Sequence, residues 1–156
     1  MVRLLNAEDL PYFYDMQRNP NVMRYIKPPM TLEESIAELR RFINYYDDQQ
    51  TFFRIWAVEE KASRTLVGIC GVYTNRYHEY EIAYRLRECF WHRGFGKEVA
   101  THLFHHCLTT LGLEEIVAYV SKANEGSVRI LEQYMQFVDE FYSEEEQSVE
   151  RKYRLV

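Results

Sequence analysis

The chain has 156 residues, 47% of them apolar and 28% charged; this ordinary globular composition predicts one domain over residues 1–156 with a core that needs no staples. Its net charge of −5 argues against nucleic-acid binding, which requires clustered Lys and Arg, and suits a cationic substrate. Cys70, Cys89 and Cys107 are odd in number and far apart, and no stretch approaches the roughly 18 apolar residues of a membrane span, so neither a disulfide framework nor a membrane anchor is expected.

The opening MVRLLNAEDLPYF lacks a basic region followed by a long apolar run, so no signal peptide is expected and a reducing cytoplasm is the expected compartment. Val2 to Leu5 reads as a strand. Asn6 or Ala7 opens a helix with Leu10, Phe13, Tyr14 and Gln17 at helical spacing, and Asp9 near its first turn complements the helix dipole. Asn19-Pro20 breaks it, and Val22 to Ile26 is a helical turn ended by Lys27-Pro28-Pro29. Thr31 and Glu34 form a capping-box start for a helix that carries Ile36, Leu39, Arg40, Ile43 and Tyr46 on one side and stops near Asp47-Asp48. The period then becomes that of strands: Phe52 to Glu59, Thr65 to Tyr73 and Glu79 to Leu86 make an antiparallel meander. Phe95, Val99, Leu103, Cys107 and Leu111 mark a helix ended by Gly112. Glu115 to Val120 is a short strand and Asn124 to Met135 a helix. Phe137 to Tyr142 and Val149 to Leu155 close the chain around the acidic loop Ser143 to Glu146. The fold class is α/β (α+β): a mixed, mostly antiparallel sheet of six to seven strands flanked by helices.

The stretch that carries chemistry is Leu86 to Lys97, LRECFWHRGFGK. A strand runs through a short loop into a helix whose start contains Gly94 and Gly96. Free N–H groups and the positive end of the helix dipole meet there, and Arg93 and Lys97 add charge, which makes a phosphate or pyrophosphate site. The Rossmann pattern fails, because only two glycines are present and they come late in the chain. The P-loop pattern fails as well, because Gly96-Lys97 is followed by Glu98. A helix entry merely shaped by two glycines is the competing reading.

The run WHRGFGKEVA resembles the acyl-CoA pyrophosphate loop of the GNAT N-acetyltransferase superfamily, and is most similar to its Rim-type branch of ribosomal-protein N-terminal acetyltransferases. VRLLNAEDLPYFYDMQRNPNVMRYI, EYEIAYRL and LGLEEIVAYVSKANEGSVRILEQY resemble that branch's other segments in the same order, so nearly the whole chain is covered. The resemblance implies acetyl-CoA as co-substrate and a primary amine as acceptor, either a peptide α-amine or a small cationic amine. Pantetheine would lie in a gap between the strand ending at Leu86 and the strand at Val117 to Val120, taking main-chain contacts from Tyr84 and Leu86. The pyrophosphate would rest on the N–H groups of His92, Arg93, Gly94, Phe95, Gly96 and Lys97. Asn124 would bond the pantetheine arm.

Direct attack needs a neutral amine, a polarised carbonyl and a proton for the departing thiolate. A lysine-type amine is neutral in roughly one molecule per few thousand at pH 7, an α-amine in roughly a tenth or more, so a base matters most for the former. Glu81 is the implied base and Glu79 the second choice; the competing reading of Glu81 is a structural carboxylate. Tyr119 stands where some relatives carry a glutamate, which closes that route. The family's usual tyrosine acid falls on Leu131, which cannot donate. Ser127 matches the branch's serine and is the implied acid, with Tyr134 as fallback and a local helix-backbone hydrogen bond as the competing reading of Ser127. The glycine that usually follows this helix is absent from Tyr134-Met135-Gln136-Phe137, which implies an altered turn near the substrate mouth. A catalytically weak acyl-CoA-binding or regulatory module is the alternative function.

His102, His105, His106 and Cys107 lack a metal-binding signature, so no metal is expected. The aromatic stripe Phe13, Tyr14, Tyr25, Phe42, Tyr45 and Tyr46 reads as packing or, in the alternative, as an acceptor groove. Tail strands pairing between chains would make a homodimer.

Overall fold

The computed structural model describes residues 1–156 and gathers seven strands into one sheet, in the order β1-β2-β3-β4-β5-β7-β6. In chain order these are β1 Val2–Leu4, β2 Phe53–Glu59, β3 Leu66–Thr74, β4 Tyr80–Leu86, β5 Ile116–Ser121, β6 Gln136–Ser143 and β7 Ser148–Leu155. Neighbouring strands are antiparallel except β4 and β5. A parallel pair needs a crossover, and the helix α4, Phe95–His105, supplies it. This is the mixed, mostly antiparallel sheet that the sequence predicts.

Helices α1 (Leu10–Gln17), α2 (Pro20–Met23) and α3 (Leu32–Asn44) cover one face of the sheet. There Phe13, Met16, Met23, Leu39 and Phe42 pack on Ile55 and Ile69. Helices α4 and α5 (Glu125–Tyr134) cover the other face, where Val99, Leu103, Cys107 and Leu131 meet Cys70, Ile82 and Ile116. The capping box at α3 is present: the Glu34 N–H donates to Thr31 Oγ1 at 3.2 Å and the Thr31 N–H to Glu34 Oε2 at 2.8 Å. A second box, Asn6 with Asp9, opens a 3₁₀ turn at Ala7–Asp9 that leads into α1. Arg3 bridges the buried carboxylates of Asp9 and Glu59, each at 2.7 Å, and pins β1 to β2.

The structure corrects several details of the sequence reading. The buried side of α3 runs through Ser35, Glu38, Leu39 and Phe42, and Arg40 is exposed. The predicted face misses this because it treats Glu38 as a surface residue. That carboxylate is only 7% exposed and is held by Lys27 Nζ at 2.7 Å and by the Gln17 amide, with Arg85 Nη1 at 4.0 Å. The helix predicted from Phe95 to Leu111 is α-helical only to His105 and widens into a π turn at His106–Thr110 before Gly112. Apolar side chains every four residues outrun a 3.6-residue turn, and a wider turn keeps Cys107 facing the core. The missing glycine after α5 leaves no strain: Met135 turns the chain with extended angles, φ −119° and ψ 154°, straight into β6.

The buried Glu38 gives a stability prediction. Glu38→Ala leaves the Arg85 guanidinium without its counter-charge, and breaking such a buried pair costs about 3 kcal/mol. The urea midpoint of the variant is expected to fall accordingly, with the slope of the transition unchanged.

Candidate active site

The site begins with the phase of β4. The Arg87 N–H donates to the Val67 carbonyl at 2.8 Å, and in an antiparallel ladder that phase alternates. Glu81, Ala83 and Arg85 therefore turn their main-chain groups towards β3, and Ile82, Tyr84 and Leu86 turn theirs towards β5. β5 meets β4 at one register position only, Glu81 opposite Val117. Beyond it the strands part, and the main-chain N–H groups of Tyr84 and Leu86 have no strand partner. The Leu86 carbonyl accepts from Trp91 Nε1 at 3.0 Å, which fastens the following loop to the end of the strand. A cavity of about 700 Å³ occupies the gap, lined by Glu81, Tyr84, Asn124 and Ser127 among others.

At the foot of the gap the chain enters α4 through two left-handed residues, His92 at φ 57° and Gly94 at φ 83°. Glycine adopts that angle at Gly94 without the cost a side chain carries. The N–H groups of His92 through Lys97 find no acceptor in the protein, and the first capped amide is that of Glu98, which bonds the Gly94 carbonyl. Six uncommitted donors at the positive end of an 11-residue helix form an anion cradle. The two basic side chains differ. Arg93 pairs with Glu60 at 3.1 Å and lies over the Phe90 and Phe95 rings. Lys97 has no ion pair and leans over the Tyr134 ring at 5.9 Å.

On the α1–α3 face of β4, Glu81 is half-buried, and Asn75 Nδ2 donates to its Oε2 at 3.1 Å. Burial pushes its carboxyl up, against the opposing pull of Asn75 and the Tyr73 hydroxyl, with Glu79 adding to the rise. Glu79 is committed elsewhere. It forms an ion pair with Lys152 and accepts from the Tyr119 hydroxyl at 2.6 Å. Burial raises its carboxyl, but the hydrogen bonds from Lys152, Tyr119 and Asn75 outweigh that and hold it below the usual carboxylate range. Tyr119 is in turn pushed up to about 12 by burial and by Glu79.

On the other face, Asn124 caps α5 by accepting from the Ser127 N–H at 3.4 Å. The Ser127 hydroxyl makes no hydrogen bond to the helix backbone, so the competing reading of that residue is not what the structure has. Leu131 is 2% exposed and lines the same wall. Tyr134, the fallback acid, packs beside Phe104 under Lys97, apart from the residues that line the cavity. Sequence reasoning passed over the side chain of Tyr84. Its hydroxyl is buried beside Ser127 without a hydrogen-bond partner. Glu150 was also passed over. It lies at the mouth, 8% exposed, where burial pushes its carboxyl up, the Ser148 hydroxyl opposes that, and Glu146 and Glu81 add to the rise. Glu150 and Tyr153 are both buried, on opposite faces of β7, so period-two alternation alone does not single out Glu150. His106 packs edge-on against Trp56 at 5.4 Å, and no group of three ligating side chains is placed to hold a metal ion. Of the aromatic stripe, Phe13 and Phe42 are core, and Tyr25 and the edge of that core at Phe42 line the cavity.

Comparison with known proteins agrees with this geometry. The model of the GNAT acetyltransferase domain matches residues 1–134. The chain is 25% identical to the uncharacterized N-acetyltransferase YoaA of Bacillus subtilis over 135 residues, 84% of this chain and 75% of that protein. Its fold superposes on a GNAT-family acetyltransferase from Bacillus anthracis with a TM-score of 0.85 at 20% identity, over 99% of this chain and 93% of the other. It superposes on the spermidine N-acetyltransferase of Vibrio cholerae, solved with CoA and spermine, with a TM-score of 0.81 at 18% identity, over 99% and 94% of the two chains. The loop, the parted strands and the family match converge on one conclusion: the chain belongs to the GNAT acetyltransferase family and is an acetyltransferase that uses acetyl-CoA as its co-substrate.

Proposed function

We propose that the enzyme acetylates the primary amine of a small cationic acceptor by direct attack, with Glu81 as base. The observation that carries this reading is the parted edge of β4, which aligns the unpaired N–H groups of Tyr84 and Leu86 with the free amides that open α4. That alignment fits an extended arm ending in a pyrophosphate: β4 supplies strand-like hydrogen bonds and the loop supplies anion donors. The amides of His92, Arg93, Gly94, Phe95, Gly96 and Lys97 would hold the pyrophosphate, with Lys97 as the free cation and Arg93 bracing the loop through Glu60. Asn124 has its Nδ2 available for the pantetheine arm. Acetyl-CoA supplies the thioester. The Tyr84 N–H, the first unpaired donor beyond the bridge to Val117, is placed to polarise its carbonyl. Glu81 accepts the proton of the attacking amine, and its raised carboxyl is better matched to that task than an ordinary one. Ser127 faces the same cavity with an uncommitted hydroxyl and can donate to the departing sulfur.

The acceptor is inferred from charge. Glu81, Glu146 and Glu150 line the cavity without an ion pair, whereas its arginines are committed, Arg76 to Glu145 at 2.5 Å and Arg41 and Arg85 to Glu38 at 3.5 and 4.0 Å. Clustered carboxylates around a cleft concentrate cations, which favours a polyamine-like acceptor. The Rim-type resemblance favours a peptide α-amine instead. Acetyl-CoA turnover, read as released thiol against polyamines, amino acids and peptides, separates the two. The expected order places polyamines first, and faster turnover of a peptide reverses the assignment. Tight coenzyme binding with no turnover on any amine would leave an acyl-CoA-binding module.

Three variant results are expected. Glu81→Gln lowers kcat by about 100-fold or more with acetyl-CoA affinity intact; an unchanged rate removes Glu81 from its role. The same variant tests burial. Glu81 is raised above its ordinary value of 4.5, so the parent loses stability as pH rises through the folded-state value, while the glutamine variant does not. Thermal denaturation should show the variant gaining on the parent between pH 4 and pH 7. Gly94→Glu sets a negative charge on the amide cradle and a side chain on a left-handed residue, and calorimetry should show acetyl-CoA binding weakened about tenfold or more.

A further inference from the structure

We propose that the phenolic hydroxyl of Tyr84 hydrogen-bonds the coenzyme sulfur and stabilises the thiolate as it departs. This rests on the acetyl-CoA reading above and assigns to the Tyr84 side chain a role beyond the main-chain contacts described there.

The hydroxyl is buried and makes no hydrogen bond of good geometry, and the Ser127 hydroxyl is the polar group beside it. Leaving a buried hydroxyl unpaired costs about 1–3 kcal/mol, so such groups are few and call for a reason. Tyr84 lies opposite Cys70 in the β3–β4 register and packs among the residues that α4 and α5 cover. Its side chain therefore occupies the face of β4 away from Glu81, and it lines the cavity together with Ser127 and Leu131. The hydroxyl lies beside that of Ser127. The next helical turn presents Leu131, which has no proton to give, and Tyr134 lies outside the cavity. Tyr84 and Ser127 are thus the hydroxyl groups on this wall of the gap.

Position along the strand makes the assignment specific. The Tyr84 N–H is the first unpaired donor where β4 and β5 separate, the place for the thioester oxygen. Oxygen and sulfur are substituents of the same carbon, and the Tyr84 side chain enters the cavity from the residue whose N–H meets the oxygen, which puts it within reach of the sulfur. Its environment keeps the proton in place: burial pushes the phenol up, the Ser127 hydroxyl opposes this, and no charged side chain contributes. A phenol that stays protonated at neutral pH is a donor.

The step balances as follows. The amine nitrogen forms the new bond to the acetyl carbon, and the carbon–sulfur bond breaks with its electron pair going to sulfur. Tyr84 donates a hydrogen bond to that sulfur and keeps its own proton, and the thiolate takes its proton from solvent as coenzyme A leaves. Glu81 holds the proton lost by the amine and returns it to solvent. One proton leaves nitrogen and one arrives on the thiol, with no oxidant or reductant.

The test needs no acceptor. Free coenzyme A is bound to the parent, to Tyr84→Phe and to Ser127→Ala, and its thiolate is followed against pH by difference absorbance. A donor hydrogen bond stabilises the thiolate, so the thiol bound to the parent should ionise about tenfold more readily than the free thiol. Tyr84→Phe should abolish that shift while coenzyme affinity at low pH stays within a few-fold. The apo variant should be as stable as the parent or more so, since an unpaired hydroxyl has been removed. Equal thiol titration in parent and Tyr84→Phe overturns the proposal. So does loss of the shift in Ser127→Ala alone, which assigns the donor to Ser127. Failure of the parent to bind coenzyme A overturns the underlying reading of the cleft, and is told apart because no titration is then seen in any variant.

Discussion

A strand whose two edges are both satisfied has nothing to offer a ligand, so the chemistry of this fold depends on β4 being held on one side and released on the other. The holding side is unusually close. A Cβ at Gly68 would lie 2.1 Å from the Arg85 carbonyl, and the β3–β4 ladder is continuous from Thr74–Tyr80 to Gly68–Leu86. The releasing side follows from competition for β5. That strand is paired along its whole length with β7, from Ile116–Leu155 to Ser121–Glu150, and touches β4 at a single residue. With each strand fastened to its outer neighbour, the seam between them opens. The unpaired donors that result are fixed by the sheet rather than by a mobile loop, which is what keeps them directed at a ligand.

The two-residue period of a strand then separates the chemical roles. Glu81 and Arg85 stand on the α1–α3 side and Tyr84 on the α4–α5 side, so the proposed base and the proposed hydrogen-bond donor approach the seam from opposite faces and do not neutralise one another. Arg85 could have undone this by pairing with Glu81. The Gln17 amide and Glu38 draw its guanidinium towards the helices instead. A buried polar network that looks purely structural therefore also keeps Glu81 free of a cationic partner, and burial is left as the largest influence on its carboxyl.

Much of this was legible in the sequence because it is local. The capping box at Thr31, the glycine-bearing entry to α4, the three-strand meander and the asparagine that opens α5 are all written within a few residues. What was hidden depends on distant partners. Glu38 reads as surface until Gln17, Lys27 and Arg85 are brought to it from three other segments. Glu79 and Glu81 are equivalent by period, yet Lys152 and Tyr119 reach only Glu79 and tie it up. Arg93 reads as a phosphate ligand until Glu60, 33 residues away, claims it. Tyr134 shares a helical face with Ser127 in projection, but the seven-residue separation carries it past the end of the cavity.

The same contrast bears on how the site manages without a tyrosine at Leu131. A helix that enters the cleft at Asn124 can present one side chain per turn to it, and the second turn is spent on an apolar contact with the core beneath. A polar group near the sulfur beyond Ser127 then comes from the opposing wall, and on β4 only a residue of the α4–α5 face that follows the last strand pairing can provide it. Ile82 is apolar and Leu86 closes the strand. Tyr84 is the one position left between them. A phenol there reaches from the strand towards the helix, where the family's tyrosine would reach from the helix towards the strand. The chemical requirement is one donor at one place, and either wall of the seam can meet it.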